Sequence, residues 1–182
     1  NYTTDEMLEE AKQITEVRLK FWRSLLNPMP ENLQLVFVSN YLEREVAEDL
    51  GISFPESKFH IIHNPIDTDL FTYQEKDSEL RKKILSIRPY ASRVYANDLS
   101  VQAILKLSRK TFFNDLEFRM IGDGPLFEQT LEPLRGFDNV TIKKGFITQQ
   151  KIAELYKQYG VFLCPSRSDT QGVSRDEAMA SG

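Results

Sequence analysis

Arg88 and Arg93 stand five positions apart in a polar stretch that follows the run from Lys83 to Ile87. Two guanidiniums at that spacing in one strand-to-helix loop can converge on a phosphate or diphosphate through bidentate hydrogen bonds. As plain loop arginines they would equally sit in solvent. A second candidate is Gly122-Asp123-Gly124-Pro125, after the run from Leu116 to Ile121. Its glycines permit a tight turn or the close approach of a ligand, and Pro125 suits the first position of a helix. The third, Pro165 to Gly182, carries Asp169 in a loop and Glu177 eight positions later in a helix. Loop amides and a helix N-terminus make a site for an anion. An ionised carboxylate beside it would accept the hydrogen bonds that sugar hydroxyls donate. Asp176-Glu177 near a helix start is also ordinary capping electrostatics.

Other chemistries are disfavoured. No fingerprint of three spaced glycines follows any strand, and no phosphate loop with Gly-Lys-Ser/Thr occurs, which argues against an NAD enzyme or a P-loop NTPase. His60 and His63 have a spacing that suits a metal, but no third ligand is nearby, so they read as structural histidines. The single cysteine, Cys164, cannot form an internal disulfide, fits a reducing compartment and reads as inert core.

The elements that must position these residues alternate in type. Thr3-Thr4-Asp5-Glu6 reads as a capping box. Met7, Ala11, Ile14, Phe21 and Leu25 then recur on one helical face until Asn27-Pro28. A strand is expected from Leu33 to Val38, a helix capped by Asn40 from Tyr41 to Leu50 with Gly51 ending it, and a strand from Lys58 to His63. The polar stretch from Tyr73 to Glu79 reads as a linker, which sets the expected domains at 1–72 and 73–182. Beyond it, strands at 83–87, 116–121, 140–144 and 161–164 alternate with helices at 98–109, after Pro125 to about 134, at 149–159 behind a Thr148 cap, and around 176–180. Strand and helix in alternation mean βαβ units, hence an α/β fold with a Rossmann-like parallel sheet and helices on both faces. Ligands of such sheets bind beyond the carboxyl ends of the strands, where Arg88, Gly122 and Asp169 would lie.

Composition agrees with a globular chain. Of 182 residues, 41 % are hydrophobic and 27 % charged, which excludes disorder and a disulfide scaffold. The apolar runs are too short for a membrane span, and no signal peptide is visible. Net charge is −4, divided unevenly. Residues 1–80 hold 7 Lys+Arg against 16 Asp+Glu, and residues 81–182 hold 16 against 11. The basic half is the one suited to an anionic ligand.

The acidic segment resembles the signature of retaining glycosyltransferases of the GT-B fold, the group 1 or family 4 clan. Their pattern places a Glu, seven residues, and a second Glu within Glu-Ala-Met-Ala-x-Gly. Glu177-Ala178-Met179-Ala180-Ser181-Gly182 matches fully, while Asp169 replaces the first Glu. Other markers follow the clan's order: Val38-Ser39-Asn40, Asn64-Pro65-Ile66-Asp67 through Phe71, Ile87-Arg88 with Arg93 in the usual Lys position, Ile121 to Pro125, Asn139-Val140, and Gly145-Phe146.

The resemblance implies roles. Arg88 and Arg93 would hold the donor's diphosphate and stabilise charge on the leaving nucleoside diphosphate. Asp169 would contact the donor sugar, and Glu177 the ribose hydroxyls. Backbone amides around Gln171, Gly172 and Val173 would meet the diphosphate, with Gly122 close by, and Phe146 and Ile147 would seat the base. No cofactor or metal is expected, because arginines and a helix end supply the positive charge. Asp67-Thr68-Asp69 mimics the metal motif of the other large glycosyltransferase fold, but it sits in the interdomain segment. The implied substrates are a UDP-, GDP- or ADP-sugar and a glycan or lipid-linked acceptor in polysaccharide or capsule assembly. A cytoplasmic setting, with peripheral membrane association of the whole enzyme, is expected, and no nucleic-acid partner. The chain reads as a fragment, the end of an acceptor-side domain plus a donor domain incomplete at its C-terminal end, inactive by itself. An epimerase or phosphorylase of the same fold, and a non-catalytic nucleotide-sugar-binding module, stay open as alternatives.

Overall fold

The computed structural model describes residues 5–182, with side chains from Lys12 onward. The capping box at Thr3 and the side chains of Met7 and Ala11 lie outside the described residues. The chain forms two compact units that divide between Asn64 and Pro65. That division precedes the polar stretch at 73–79, because Ile66, Leu70 and Phe71 pack into a core of the second unit.

The first unit holds α1 (Asp5–Leu26), β1 (Leu35–Phe37), α2 (Asn40–Leu50) and β2 (Phe59–Ile61). β1 and β2 pair in parallel, Leu35 opposite Phe59 and Phe37 opposite Ile61. Leu26, Phe37, Leu50 and Phe54 form the core. Ile14, Phe21 and Leu25, expected to be the packed face of α1, are exposed, while among the described side chains of that helix Leu26 is buried in the core and Leu19 packs against it. α2 is capped by Ser39 rather than Asn40: the Ser39 Oγ accepts from the Leu42 N–H at 3.1 Å, while Asn40 is already helical. Gly51 ends the helix in the left-handed region at φ 63°, as its lack of a side chain allows. Arg23 of α1 donates from Nε to the Leu50 carbonyl at 2.7 Å and from Nη2 to that of Asp49 at 2.8 Å, placing a cation at the negative end of α2.

The second unit is built on a parallel sheet in the order β5-β4-β3-β6. Its elements are β3 (Lys83–Ile87), α3 (Asn97–Leu107), β4 (Glu117–Gly122), α4 (Phe127–Leu131), β5 (Val140–Lys144), α5 (Gln149–Tyr156), β6 (Val161–Phe162) and α6 (Val173–Ala180). Alternate residues of each strand face opposite layers. Ile84, Phe118 and Met120 pack with Val101 and Ile104 of α3 and Phe127 and Leu131 of α4. Leu85 and Ile121 pack with Ala153, Leu155 and Tyr156 of α5 and with Phe71. Burial on both faces accounts for apolar side chains on both sides of these strands, Ile84 and Leu85 in β3 and Met120 and Ile121 in β4.

Some boundaries differ from the sequence expectation. β6 pairs only with β3, through Val161 and Phe162, and is shorter than the run 161–164. The helix after Pro125 gives way at Glu132 to a tighter turn containing Pro133, which has no N–H to continue the ladder. Among the described residues, no helix is long and apolar enough to cross a membrane.

Candidate functional site

The carboxyl ends of β3, β4, β5 and β6 open on one edge of the sheet, and each sequence candidate lies in the chain that follows a strand. Arg88 leaves β3 and stays beside β4, its backbone N–H donating to the Ile121 carbonyl at 3.0 Å. Its side chain is 7 % exposed. The guanidinium carbon lies 5.3 Å from the centre of the Tyr95 ring, a cation–π contact, and Nη2 donates to the Pro165 carbonyl at 3.4 Å. Its buried Nε has no hydrogen-bond partner. A buried donor left unfilled costs free energy, and a charged one more; Ser86 Oγ, Tyr90 Oη, Asn97 Oδ1, Ser100 Oγ and Arg119 Nε share that state, and Arg88 differs from them in standing at the carboxyl end of a strand beside a cavity.

β4 ends on Gly122, which has no side chain to hold off the loop after β3. Tyr90 N–H donates to the Asp123 carbonyl at 2.7 Å, and Leu126 N–H to that of Tyr90 at 3.0 Å, so the two loops are laced together. Beside them is a cavity of about 150 Å³ lined by Ile87, Arg88, Pro89, Gly122, Gly145, Phe146 and Ile147, among others. The structure thus brings together Arg88, Gly122, Phe146 and Ile147, and Phe146 is 89 % exposed at its mouth. A flat, unpacked aromatic beside a buried cation can stack on a planar group.

Arg93 goes elsewhere. It is exposed in a short 3-10 turn, Arg93–Tyr95, closed by the Ala96 N–H donating to the Arg93 carbonyl at 3.1 Å, with Ala96 at φ 50°. There Arg93 lines a separate depression of about 390 Å³ between α3 and α4, with Asn97, Gln102, Gln129 and Thr130.

The acidic segment forms a loop and then α6. Asp169 is exposed, and Gly172 stands before the first helical residue. The Val173 N–H already donates to the Gln171 carbonyl at 2.9 Å. Tyr156 of α5 donates its hydroxyl to the Ser174 carbonyl at 2.9 Å and so fixes the helix start. Glu177 is 7 % exposed, and burial holds its carboxyl above the usual carboxylate range. Burial raises the Tyr156 phenol, with further raising by Glu177 and Cys164 and lowering by Arg88, so these side chains share one electrostatic neighbourhood. Cys164 is half-buried, two residues beyond β6. Burial raises its thiol first, against lowering by Arg88 and Arg175 and with a further rise from Asp169, which leaves it a poor nucleophile.

Several residues here carry no signal in local spacing. Tyr95 meets Arg88 within the loop after β3, and Tyr156 of α5 reaches Ser174 of α6. Arg167 and Asp98 form a bidentate pair, with both Nη–O distances 2.7 Å, between residues 69 apart in sequence. Of the metal decoys, Asp67 Oδ1 accepts the Asp69 and Leu70 N–H groups, each at 3.1 Å, and the His63 ring nitrogen Nδ1 lies 2.7 Å from the Val38 carbonyl. Among the described residues, no group of three or more His, Cys, Asp or Glu could hold a metal.

Solved structures of similar architecture include S. aureus TarM, at a TM-score of 0.63 and 17 % identity, covering 81 % of this chain and 28 % of that one. WaaG, a glycosyltransferase involved in lipopolysaccharide biosynthesis, gives 0.58 and 15 %, covering 81 % and 42 %. The pneumococcal O-GlcNAc transferase GtfA, solved with UDP and GlcNAc, gives 0.58 and 20 %, covering 81 % and 28 %. These likenesses show the GT-B type of α/β fold, and the chain spans 28 % of the length of TarM and GtfA. No curated protein sequence matches the chain. The family model for glycosyl transferases group 1 matches residues 81–182, from the first turn before β3 through the Glu177 helix, and the chain belongs to that family.

Proposed function

We propose that this chain is the donor-binding part of a glycosyltransferase that moves a sugar from a nucleotide-sugar to a glycan or lipid-linked acceptor with retention of configuration. The observation that carries the reading is Arg88: a buried guanidinium with an unfilled donor, at the carboxyl edge of a parallel sheet, beside an exposed aromatic and near a buried carboxylate. In this reading Arg88 binds the diphosphate and stabilises the charge that builds on the leaving nucleoside diphosphate, the largest catalytic contribution available to such a site. Phe146 and Ile147 flank the base, Glu177 accepts from the ribose hydroxyls, and Asp169 reaches the sugar. Arg93 joins the diphosphate by turning from the α3–α4 depression, and the N-terminus of α6, with Gly172 before it, completes the anion site.

The nucleotide is supported by chemistry and by the fold neighbours, since S. aureus TarM was solved with UDP and a starch synthase from Arabidopsis thaliana with ADP. The cations and helix end supply the charge that a metal would otherwise bring, so the proposal includes none. A role in polysaccharide assembly at the inner membrane face belongs to the same proposal. A thermal-shift screen of UDP-, GDP- and ADP-sugars tests it. A ligand selective for the native state raises the melting temperature, and the expected result is a rise with one nucleotide class. No rise with any of the three overturns the donor reading.

A further inference from the structure

The segment carrying Asp169 leaves β6 and must cross to α6, and one side chain ties it down. Arg167 donates from Nη1 and Nη2 to Oδ1 and Oδ2 of Asp98, each at 2.7 Å, a fork-to-fork pair with the first turn of α3. The same Nη1 donates to the Arg93 carbonyl at 2.7 Å. The Arg167 backbone N–H donates to the Val94 carbonyl at 2.9 Å, and Ser166 Oγ reaches that carbonyl at 3.4 Å. One residue earlier, the Pro165 carbonyl accepts from Arg88. Each of these contacts joins the loop after β6 to the loop after β3 or to the first turn of α3, across about 70 residues of sequence.

We infer that Arg167 is a positioning residue: it clasps the loop bearing Asp169 to the loop bearing Arg88 and Arg93, so that sugar-facing and diphosphate-facing groups are held in one register. The inference rests on the donor-site reading above. Arg suits the task where Lys would not, because its planar fork serves a bidentate carboxylate and a backbone carbonyl together. Asp98 is held below the usual carboxylate range, first by the hydrogen bond from Arg167, so the pair stays charged throughout the neutral range. Both partners are partly exposed, which makes the clasp worth little to global stability. Its effect is local, on where two short loops stand relative to each other.

The test uses the full-length protein with UDP, GDP and ADP as probes, titrated separately by calorimetry against R167A, D98A, the double variant, R167K, and the swap R167D/D98R. For the nucleotide that binds the unmutated protein, each single alanine variant should weaken binding by about three- to tenfold, as for a partly exposed pair acting on loop order. The double variant should be no weaker than the worse single, and the swap should recover most of the loss, whereas R167K should not. Amide exchange should quicken at 165–173 and 93–96 in R167A and stay unchanged in β3 and β4. Losses that multiply in the double variant, or a swap without rescue, overturn the coupling. Unchanged exchange overturns the clasp, and faster exchange with unchanged affinity overturns the positioning role. If the unmutated protein binds none of the three nucleotides, the donor reading itself fails, and the positioning role fails with it.

Discussion

A Cβ placed on Gly122 would stand 2.0 Å from the carbonyl oxygen of Arg88 and 2.7 Å from the Tyr90 ring. The glycine at the end of β4 is therefore a packing requirement of the arginine loop, whether or not a ligand is present. Gly122→Ala must push backbone aside, and a loss of about 3 kcal/mol is expected from overpacking against atoms that cannot rotate away. Gly136→Ala is the control, since a Cβ there meets nothing within 4 Å, and it should change stability by no more than about 0.5 kcal/mol. Urea unfolding of the two variants checks the contrast, and equal midpoints would contradict it.

Arg88→Lys keeps the charge and removes the planar fork. In the full-length enzyme, a loss of turnover on the order of a hundredfold is expected, as for removal of one preorganised donor to a developing anion. Arg93→Ala should cost a comparable factor in rate while moving stability by less than about 0.5 kcal/mol, because the side chain is exposed. Near-normal turnover of both would remove the diphosphate assignment.

Glu177 ties stability to pH. Its folded-state carboxyl is held above the ordinary value of 4.5 by burial, so the native form binds the proton more tightly than the unfolded chain does. This favours folding while Glu177 is protonated, and the contribution is lost as pH rises from 4.5 through the raised folded value. Glu177→Gln, neutral at every pH, should show a flatter stability profile above pH 4.5 and weaker nucleotide binding. Denaturation midpoints at several pH values and one calorimetric titration decide it. An unchanged slope sinks the burial argument, and unchanged affinity sinks the ribose role.

Phe146 is 89 % exposed and packs little against its own unit. Phe146→Ala should leave the unfolding midpoint unchanged and weaken nucleotide binding by about fivefold or more, as for the loss of one stacked base. If affinity holds, the aromatic has another use.

The local pattern carried the sheet further than the site. β3 and β5 fall on their expected residues, each a short run with apolar positions that turn-forming residues close, Pro89 after β3 and Gly145 after β5. Thr148 caps α5 as read, its Oγ1 accepting from Lys151 N–H at 3.3 Å. Where two adjacent polar residues could cap, as at Ser39 and Asn40, composition does not choose, and the phase of the helix does. Arg88 and Gly122 are legible as strand-end residues and Phe146 and Ile147 through the family resemblance, and the four line one cavity. Burial of Arg88 was not legible, because it depends on Tyr95 and on the Pro165 carbonyl 77 residues away. Nor could spacing show that Arg93 turns toward α3 and α4, since the turn closed at Ala96 sets that direction.

The hydrogen bond from Tyr156 to Ser174 has a consequence for how this site can change. With Arg167 secured at one end and Ser174 at the other, the chain from Ser168 to Val173 is a short span between two fixed supports. Fixing the supports removes much of the chain entropy that a ligand would otherwise have to remove on binding. Asp169, exposed and one methylene shorter than Glu, stands within that span, so an exchange of its side chain acts between two supports that the rest of the unit holds in place.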